Sequence, residues 1–292
     1  FGIECISRGA ENVTFVEKEK KTINLLRENL INLSIVNQAQ VFNQEIKSTN
    51  NFFKYKYVKD QCPIIITTNN QRASRGRNNK VWFSFNQKSL SFSLCLKLNA
   101  NQVDLGKLNY LSCLATLRAF RNTTNHTFSI KWPNDILVNS KKISGILCEL
   151  DYQADSENFI IVGIGINVNF ESNDFMDNSE IKYNIEPTSM NLILNKTLNI
   201  DDVLEKILKN FATSFKSKRS DLISYYKKNW FDREKNIEVL LGNNLIKGTA
   251  IDIKENGSLI LRTKSETKEI MSGEIISSCL LYTSPSPRDV SL

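Results

Sequence analysis

The spacing of apolar and polar positions divides the chain into unlike stretches. In the first, Val13-Thr14-Phe15-Val16 reads as a short apolar strand, and Lys20 to Leu33 sets Ile23, Leu26, Leu30 and Leu33 on one helical face. Together they make half of an α/β motif. In the middle, strand-like runs recur at Val41–Ile46, Pro63–Thr68, Leu90–Leu98, Phe128–Ile130, Ile136–Val138, Ile143–Leu150 and Phe159–Val168, whereas Leu105–Arg121 and Val203–Phe215 carry a helical period. Strands crowd the first half of this stretch and do not alternate strictly with helices, so the expected fold class is α+β, a mixed β-sheet with helices packed on it. From Ile237 to Ile276 the pattern shortens to Ile237–Leu241, Leu245–Ile253, Ser258–Thr263 and Thr267–Met271, separated by Gly-Asn-Asn and Glu-Asn-Gly turns. That predicts a separate small β-barrel. The Ser/Pro-rich end, Cys279 to Leu292, has no apolar period and predicts nothing that packs.

Composition narrows this picture only slightly. A chain of 292 residues, 41% hydrophobic and 24% charged, has an ordinary globular balance and room for one large core or two modest ones. No run approaches the roughly 18 uninterrupted apolar residues of a membrane span, and the first residues lack the basic-then-apolar pattern of a secretory signal, so the expected compartment is the cytoplasm. Six scattered cysteines show no metal-ligand or redox spacing, and no disulfide or structural zinc is expected. His126 is the single histidine and lies in the loop-like run Asn122–Thr127, where a solvated side chain is the simpler reading than a nucleophile's base. The net charge of +7 is spread along the chain rather than gathered into a stripe, so phosphate handling or an acidic partner explains it as well as a nucleic acid does.

The candidate chemistry sits in the middle stretch. Gln71-Arg72-Ala73-Ser74-Arg75-Gly76-Arg77-Asn78-Asn79-Lys80-Val81-Trp82 follows an apolar strand and joins glycine, which permits close backbone approach, to arginines, which make bidentate contacts with phosphate oxygens. Alone, it reads more readily as a solvated turn, and it is neither a Walker loop nor a dinucleotide fingerprint. Lys131-Trp132-Pro133-Asn134-Asp135 ends a strand in a proline-stiffened turn, and Lys142 opens the apolar strand Ile143-Ser144-Gly145-Ile146-Leu147-Cys148-Glu149. A lysine beside a carboxylate at a sheet's lip is either an exposed pair or a phosphate clamp near a metal-binding acid. Gly163-Ile164-Gly165-Ile166-Asn167-Val168-Asn169 places two glycines in an apolar strand, the mark of close approach by a ligand or of tight sheet packing.

Order and spacing make these motifs specific together. Ser48-Thr49-Asn50, the Arg-Gly-Arg loop, Lys-Trp-Pro-Asn-Asp, Lys-Ile-Ser-Gly-Ile-Leu-Cys-Glu, Gly-Ile-Gly-Ile-Asn-Val and Ser272-Gly273-Glu274-Ile275 resemble, in that order, the motifs of biotin–protein ligases. The resemblance implies a biotin/lipoate-ligase-type catalytic domain over 34–235 and a small SH3-like C-terminal β-barrel over 236–277. It implies that biotin and ATP give biotinyl-5'-adenylate, with Mg²⁺, and that biotin then passes to a lysine of a biotin carboxyl carrier protein, a subunit of acetyl-CoA carboxylase. Lys142 matches the essential lysine of the reaction, and Arg75 and Arg77 match loop arginines that close over biotin and the adenylate phosphate. Ser48, Thr49, Asn50, Gln71, Gly76 and Gly145 match the biotin site. Trp82, Lys131, Asn134, Asp135 and Asn167 match the nucleotide region, Trp82 as a stacker on adenine and Asp135 as the metal-side carboxylate. Ser74 departs from the family's glycine, and its Cβ is expected to stiffen the loop. Asn78-Asn79-Lys80-Val81 replaces a second Gly/Arg repeat. Nothing before Ser34 resembles a winged helix, so the ligase-only type without DNA binding is implied, as is a protein with no membrane partner. A lipoate or octanoate transferase of the same fold is the alternative within the class.

Residues 1–33 carry a different resemblance. Phe1-Gly2-Ile3-Glu4-Cys5, Ser7-Arg8-Gly9-Ala10 and Val13 to Lys18 are similar to the second strand of a ribosomal RNA guanine methyltransferase, where the acidic residue closing the strand, here Glu17, holds the ribose of S-adenosylmethionine. The glycine-rich loop and Asn-Pro-Pro-type motif of that family are missing, so this stretch reads as a partial strand–helix piece joined to the ligase, with an RNA methyltransferase as the alternative function it offers. Residues 278–292 read as a disordered or artefactual tail that resembles translated sequencing-adapter read-through.

Overall fold

The computed structural model describes residues 13–17, 20–34, 37, 39–43, 47–53, 64–68, 71, 73–85, 87–98, 105–152, 158–176 and 184–279. The methyltransferase-like words before Val13 and the Ser/Pro-rich end after Cys279 lie outside the described residues.

The N-terminal stretch forms β1 (Val13–Glu17) and α1 (Lys20–Asn32), followed by β2 (Ala39–Asn43). β1 and β2 pair in parallel, from Val13 opposite Ala39 to Glu17 opposite Asn43. A parallel partner needs a crossover, and α1 supplies it. The strand expected near Val41 therefore pairs backwards with β1 and stays out of the main sheet, so strand pairing runs across the boundary expected after residue 33.

The main sheet has six strands: β3 (Ile64–Thr68), β4 (Ser89–Leu98), β5 (Phe128–Lys131), β6 (Asp135–Val138), β7 (Lys141–Tyr152) and β8 (Asn158–Asn167), in the order β3-β4-β8-β7-β6-β5. The α+β class stands. Every neighbouring pair in this sheet is antiparallel, and hairpin-length connections account for three of them, β5–β6, β6–β7 and β7–β8. Parallel pairing is found at β1–β2 and at the isolated bridges Ile130–Trp230 and Lys142–Pro187.

Period-two alternation gives this sheet two unlike faces. Leu90, Phe92 and Leu94 of β4 and Ile160, Val162, Ile164 and Ile166 of β8 join one core with α3 (Leu105–Arg121), α6 (Ile200–Phe215) and α7 (Arg219–Lys228). Asn199 caps α6 by accepting from the Asp201 N–H at 2.8 Å, and Val203, Leu204, Ile207 and Phe211 form its buried face. The opposite face carries Ser91, Ser93, Gly163 and Gly165. There the short helix α2 (Thr49–Phe52) lies down, its Phe52 and the following Phe53 packing with Ile66, Cys95, Phe159 and Ile161. Two further short helices, α4 (Ser172–Met176) and α5 (Met190–Leu194), follow β8. Among the described residues no helix is long and apolar enough to cross a membrane.

The C-terminal unit is a five-stranded antiparallel sheet of β9 (Asn236–Leu241), β10 (Asn244–Ile253), β11 (Leu259–Arg262), β12 (Thr267–Ile270) and β13 (Glu274–Cys279), in the order β12-β11-β10-β9-β13. Its fifth strand carries Ser278 and Cys279 into the sheet, opposite Ile237 and Asn236. Its apolar interior, including Val239, Leu261 and Ile275, is continuous with the main core. Trp132 Nε1 donates to the Gly257 carbonyl at 3.0 Å and the Tyr110 hydroxyl to that of Lys254 at 2.7 Å, so the two units share a hydrogen-bonded seam.

Candidate active site

On the face turned away from α3 a cleft of about 380 Å³ opens between β7, β8, α2, the Ser74–Trp82 loop and the Gly273–Ile275 edge of the C-terminal sheet. All the residues singled out from the sequence line it: Ser48, Thr49, Asn50, Gln71, Arg75, Gly76, Arg77, Trp82, Lys131, Asn134, Asp135, Lys142, Gly145 and Asn167.

Lys142 owes its place to a backbone irregularity. Ile136 pairs with Ser144 and Leu137 with Lys142, so Ile143 is an extra residue on β7. In an unbroken strand positions three apart point to opposite faces; the bulge brings Lys142 and Gly145 to the same one. Its backbone is pinned from the other side too, since Lys142 N–H donates to the Glu186 carbonyl and Thr188 N–H to the Lys142 carbonyl, both at 2.8 Å. The Lys142 Nζ lies 2.8 Å from Asp135 Oδ1 and 5.6 Å from the centre of the Trp82 ring. The Lys-Trp-Pro-Asn-Asp turn that presents Asp135 is held by Pro133, whose carbonyl accepts from Asn109 Nδ2 at 2.8 Å and from the Tyr226 hydroxyl at 2.9 Å.

The two glycines of β8 make room for protein side chains. A Cβ at Gly163 would stand 2.2 Å from Asn50 Oδ1, and one at Gly165 would stand 2.4 Å from Trp82 Cε2. Gly145 pairs with Gly165 and a Cβ there would meet Trp82 Cζ3 at 3.3 Å, so the indole lies on a glycine floor. At the α2 end, the Gln71 amide oxygen accepts from Thr49 N–H at 2.8 Å, which leaves its NH2 as the end that donates to a ligand. Ser93 Oγ sits 2.6 Å from Thr49 Oγ1, and Asn50 Nδ2 donates to Glu149 Oε2 at 2.7 Å.

The arginine loop is a narrow hairpin: Arg75 and Val81 form a bridge, and Gly76 N–H donates to the Lys80 carbonyl at 2.7 Å. Asn78 takes φ 54°, a left-handed position that asparagine tolerates better than most residues, so the change from a Gly/Arg repeat is accommodated. Ser74 is absent from the positive-φ residues and its hydroxyl donates to the Trp82 carbonyl. Its effect on the loop is a hydrogen bond at the base. The two arginines have different partners. Arg75 Nη2 donates to Glu149 at 2.7 and 2.9 Å and to Asn51 Oδ1 at 3.1 Å, whereas Arg77 Nη1 donates to the Gly273 carbonyl at 3.3 Å. Burial pushes the Arg77 guanidinium below its usual range, against the pull of Asp135 and Glu274. Lys80 pairs with Glu274, so the C-terminal sheet reaches the loop twice.

Three residues matched to the nucleotide region hold the frame. Lys131, 7% exposed, donates to the Ile275 carbonyl at 2.7 Å; burial lowers its pKa, and the buried Asp232 opposes that shift. Asn134 bonds to the backbone of Ile146, and Asn167 Nδ2 donates to the Thr188 carbonyl at 2.9 Å. Glu149, Asn51, Ser93 and Glu274 were not singled out from the sequence as site residues. For Glu149 a signal existed, since it is an acid on the cleft side of an apolar strand.

Comparison with known proteins agrees with this geometry. Residues 42–167 match the Biotin/lipoate A/B protein ligase family, 234–277 the Biotin protein ligase C terminal domain, and 1–61 the family Conserved hypothetical protein 95. The first and last of these matches overlap across β2 and α2. The Bifunctional ligase/repressor BirA of Bacillus subtilis is 28% identical over 247 residues, which span 82% of this chain and 74% of that one. The Biotin--[acetyl-CoA-carboxylase] ligase of Paracoccus denitrificans is 30% identical over 100 residues, 34% of this chain and 41% of that one. The biotin protein ligase from Aquifex aeolicus in complex with biotin and ATP superposes with a TM-score of 0.64 at 28% identity, covering 80% of this chain and 95% of that one. Fold and cleft thus define an enzyme of the biotin/lipoate ligase class. Within that class, the chain is similar to biotin protein ligases, with residues 42–167 matching the ligase domain and 234–277 the C-terminal domain.

Proposed function

We propose that this chain activates biotin with ATP and transfers it to one lysine of a biotin carboxyl carrier protein of an acetyl-CoA carboxylase. The observation that carries the reading is a single cleft with a cationic end, Lys142 and Arg77, and a neutral hydrogen-bonding end, Thr49, Asn50 and Gln71. In the first step an oxygen of the biotin carboxylate bonds to the α-phosphorus of ATP as the bond to pyrophosphate breaks. In the second the carrier amine bonds to the acyl carbon, AMP leaves, and the amine gives up a proton. Charge builds on oxygen in both, so fixed cations and exclusion of water supply the catalysis and no protein nucleophile is needed.

Lys142, clamped by Asp135 and by strand neighbours on both sides, is the fixed cation for the carboxylate and phosphate oxygens. Arg77, half-buried at the loop tip, is the cation for the adenylate phosphate. Gln71 and Ser48 are assigned to the polar edge of the biotin ring, and Trp82 to the nucleotide. Magnesium belongs to the same proposal. Among the described residues no cluster of three or more His, Cys, Asp or Glu comes together, but a hard dication on a triphosphate takes only one or two carboxylates and keeps several waters. Asp135 fits that need and would hold it, and the ion would neutralise charge on the triphosphate. The test is ATP-dependent biotin transfer by the full chain to a purified carrier domain, read by mass spectrometry of the acceptor lysine. Labelling with biotin is expected; labelling with lipoate alone would overturn the reading.

A further inference from the structure

We infer that Glu149 is a positioning residue that couples the neutral wall of the cleft to the arginine loop, so that recognition of the biotin ring and order in the loop depend on one carboxylate. This rests on the biotin reading proposed above. Glu149 lies on β7 with its side chain 27% exposed, and two donors from different elements converge on it. Arg75 Nη2 brings the loop, at 2.7 and 2.9 Å; Asn50 Nδ2 brings α2, at 2.7 Å. Arg75 also donates to Asn51 Oδ1 from Nη2 at 3.1 Å and from Nε at 3.3 Å, which ties the loop to α2 directly.

A guanidinium so engaged is spent inside the protein. Arg75 therefore serves as the loop's anchor, and the loop's cation toward the charged end of the cleft is Arg77, two residues on. The other donor, Asn50, has its amide direction set by Glu149: Nδ2 faces the carboxylate, so Oδ1 faces Ser93 Oγ at 2.5 Å. From Ser93 the chain runs to Thr49 Oγ1 and from Thr49 N–H to Gln71 Oε1. Arg75, Glu149, Asn50, Ser93, Thr49 and Gln71 thus form one connected path from loop to biotin wall, and Gly163 leaves the space that Asn50 fills. Only an acceptor at both oxygens satisfies two converging N–H donors. A glutamine amide would turn its NH2 toward one of them and break the path on that side.

The test is Glu149→Gln, measured two ways. In biotin-dependent ATP–pyrophosphate exchange the KM for biotin should rise about tenfold while that for ATP stays within about twofold, as expected for loss of a charge-assisted hydrogen bond at one end of the cleft. Tryptic cleavage after Arg75 and Arg77 in the ligand-free protein should speed up about tenfold, because the anchored loop is released. Glu149→Asp should recover part of both effects, and Glu149→Gln combined with Arg75→Gln should be no worse than the weaker single variant. Unchanged biotin KM and unchanged cleavage in Glu149→Gln, or additive effects in the double variant, would overturn the inference. If the unaltered chain shows no biotin-dependent exchange, the functional reading fails instead, and the cleavage rates still decide whether Glu149 holds the loop.

Discussion

At one end of the cleft stand Lys142, Asp135 and Arg77; at the other, Thr49, Asn50 and Gln71, backed by the buried Ser93, with no charge among them. The charged end is placed by irregular backbone: a bulge at Ile143, a left-handed Asn78, and a strand pinned by the segment 186–188. The neutral end is placed by α2 lying on the sheet, by the missing Cβ of Gly163, and by the Thr49 N–H that holds Gln71. The contrast follows from the range of the forces. A cation acts on a phosphate over several ångströms, so a loop tip positions it well enough, whereas a neutral hydrogen bond weakens within a few tenths of an ångström and needs a rigid wall.

The largest effect should come from the charged end. Lys142→Ala should lower biotin-dependent pyrophosphate exchange by about 10³-fold, the scale seen when one preorganised charge-stabilising donor is removed, with a thermal midpoint close to that of the unaltered chain. Gly163→Ala should come next: the added carbon meets Asn50, so Asn50 must move, costing about 2 kcal/mol of stability and raising the biotin KM more than the ATP KM. An ATP effect as large as the biotin effect would erase the division between the two ends. Arg77→Gln should leave biotin binding in place and speed release of the adenylate by roughly tenfold, read by its escape through a filter. The smallest effect lies outside the cleft. Lys254, Ser258 and Asn256 hold Glu269 down to about 2, well below its usual range. A carboxyl depressed on folding contributes stability that is present above its unfolded pKa and is lost as pH falls through the folded one. The unaltered chain should therefore lose thermal stability between about pH 4.5 and pH 2, and Glu269→Gln should flatten part of that slope while leaving pyrophosphate exchange at neutral pH unchanged.

Much of this was legible in the sequence, for reasons that differ by element. Apolar alternation marked β4, β7 and β8, and the Asn-containing turns marked the C-terminal sheet, because side-chain direction in a strand follows directly from parity. Motif order brought together the residues that line the cleft. Pairing partners were less legible: β2 looked like a strand of the main sheet but its parallel partner is β1, a choice made by the α1 crossover and not by β2's own residues. The bulge at Ile143 left no local mark, since an apolar residue fits either register. The separate duties of Arg75 and Arg77 were hidden for a similar reason. Two arginines in one loop are chemically alike, and only the positions of Glu149, Asn51 and Gly273, distant in the chain, tell them apart.

The most direct test of the account is formation of the mixed anhydride itself. The full chain, incubated with ATP, Mg²⁺ and biotin in the absence of any carrier protein, should accumulate biotinyl-5'-adenylate detectable by mass spectrometry, and Lys142→Ala, folded by its circular dichroism, should not. Adenylate formed from lipoate in preference to biotin, or formed equally well by Lys142→Ala, would contradict it.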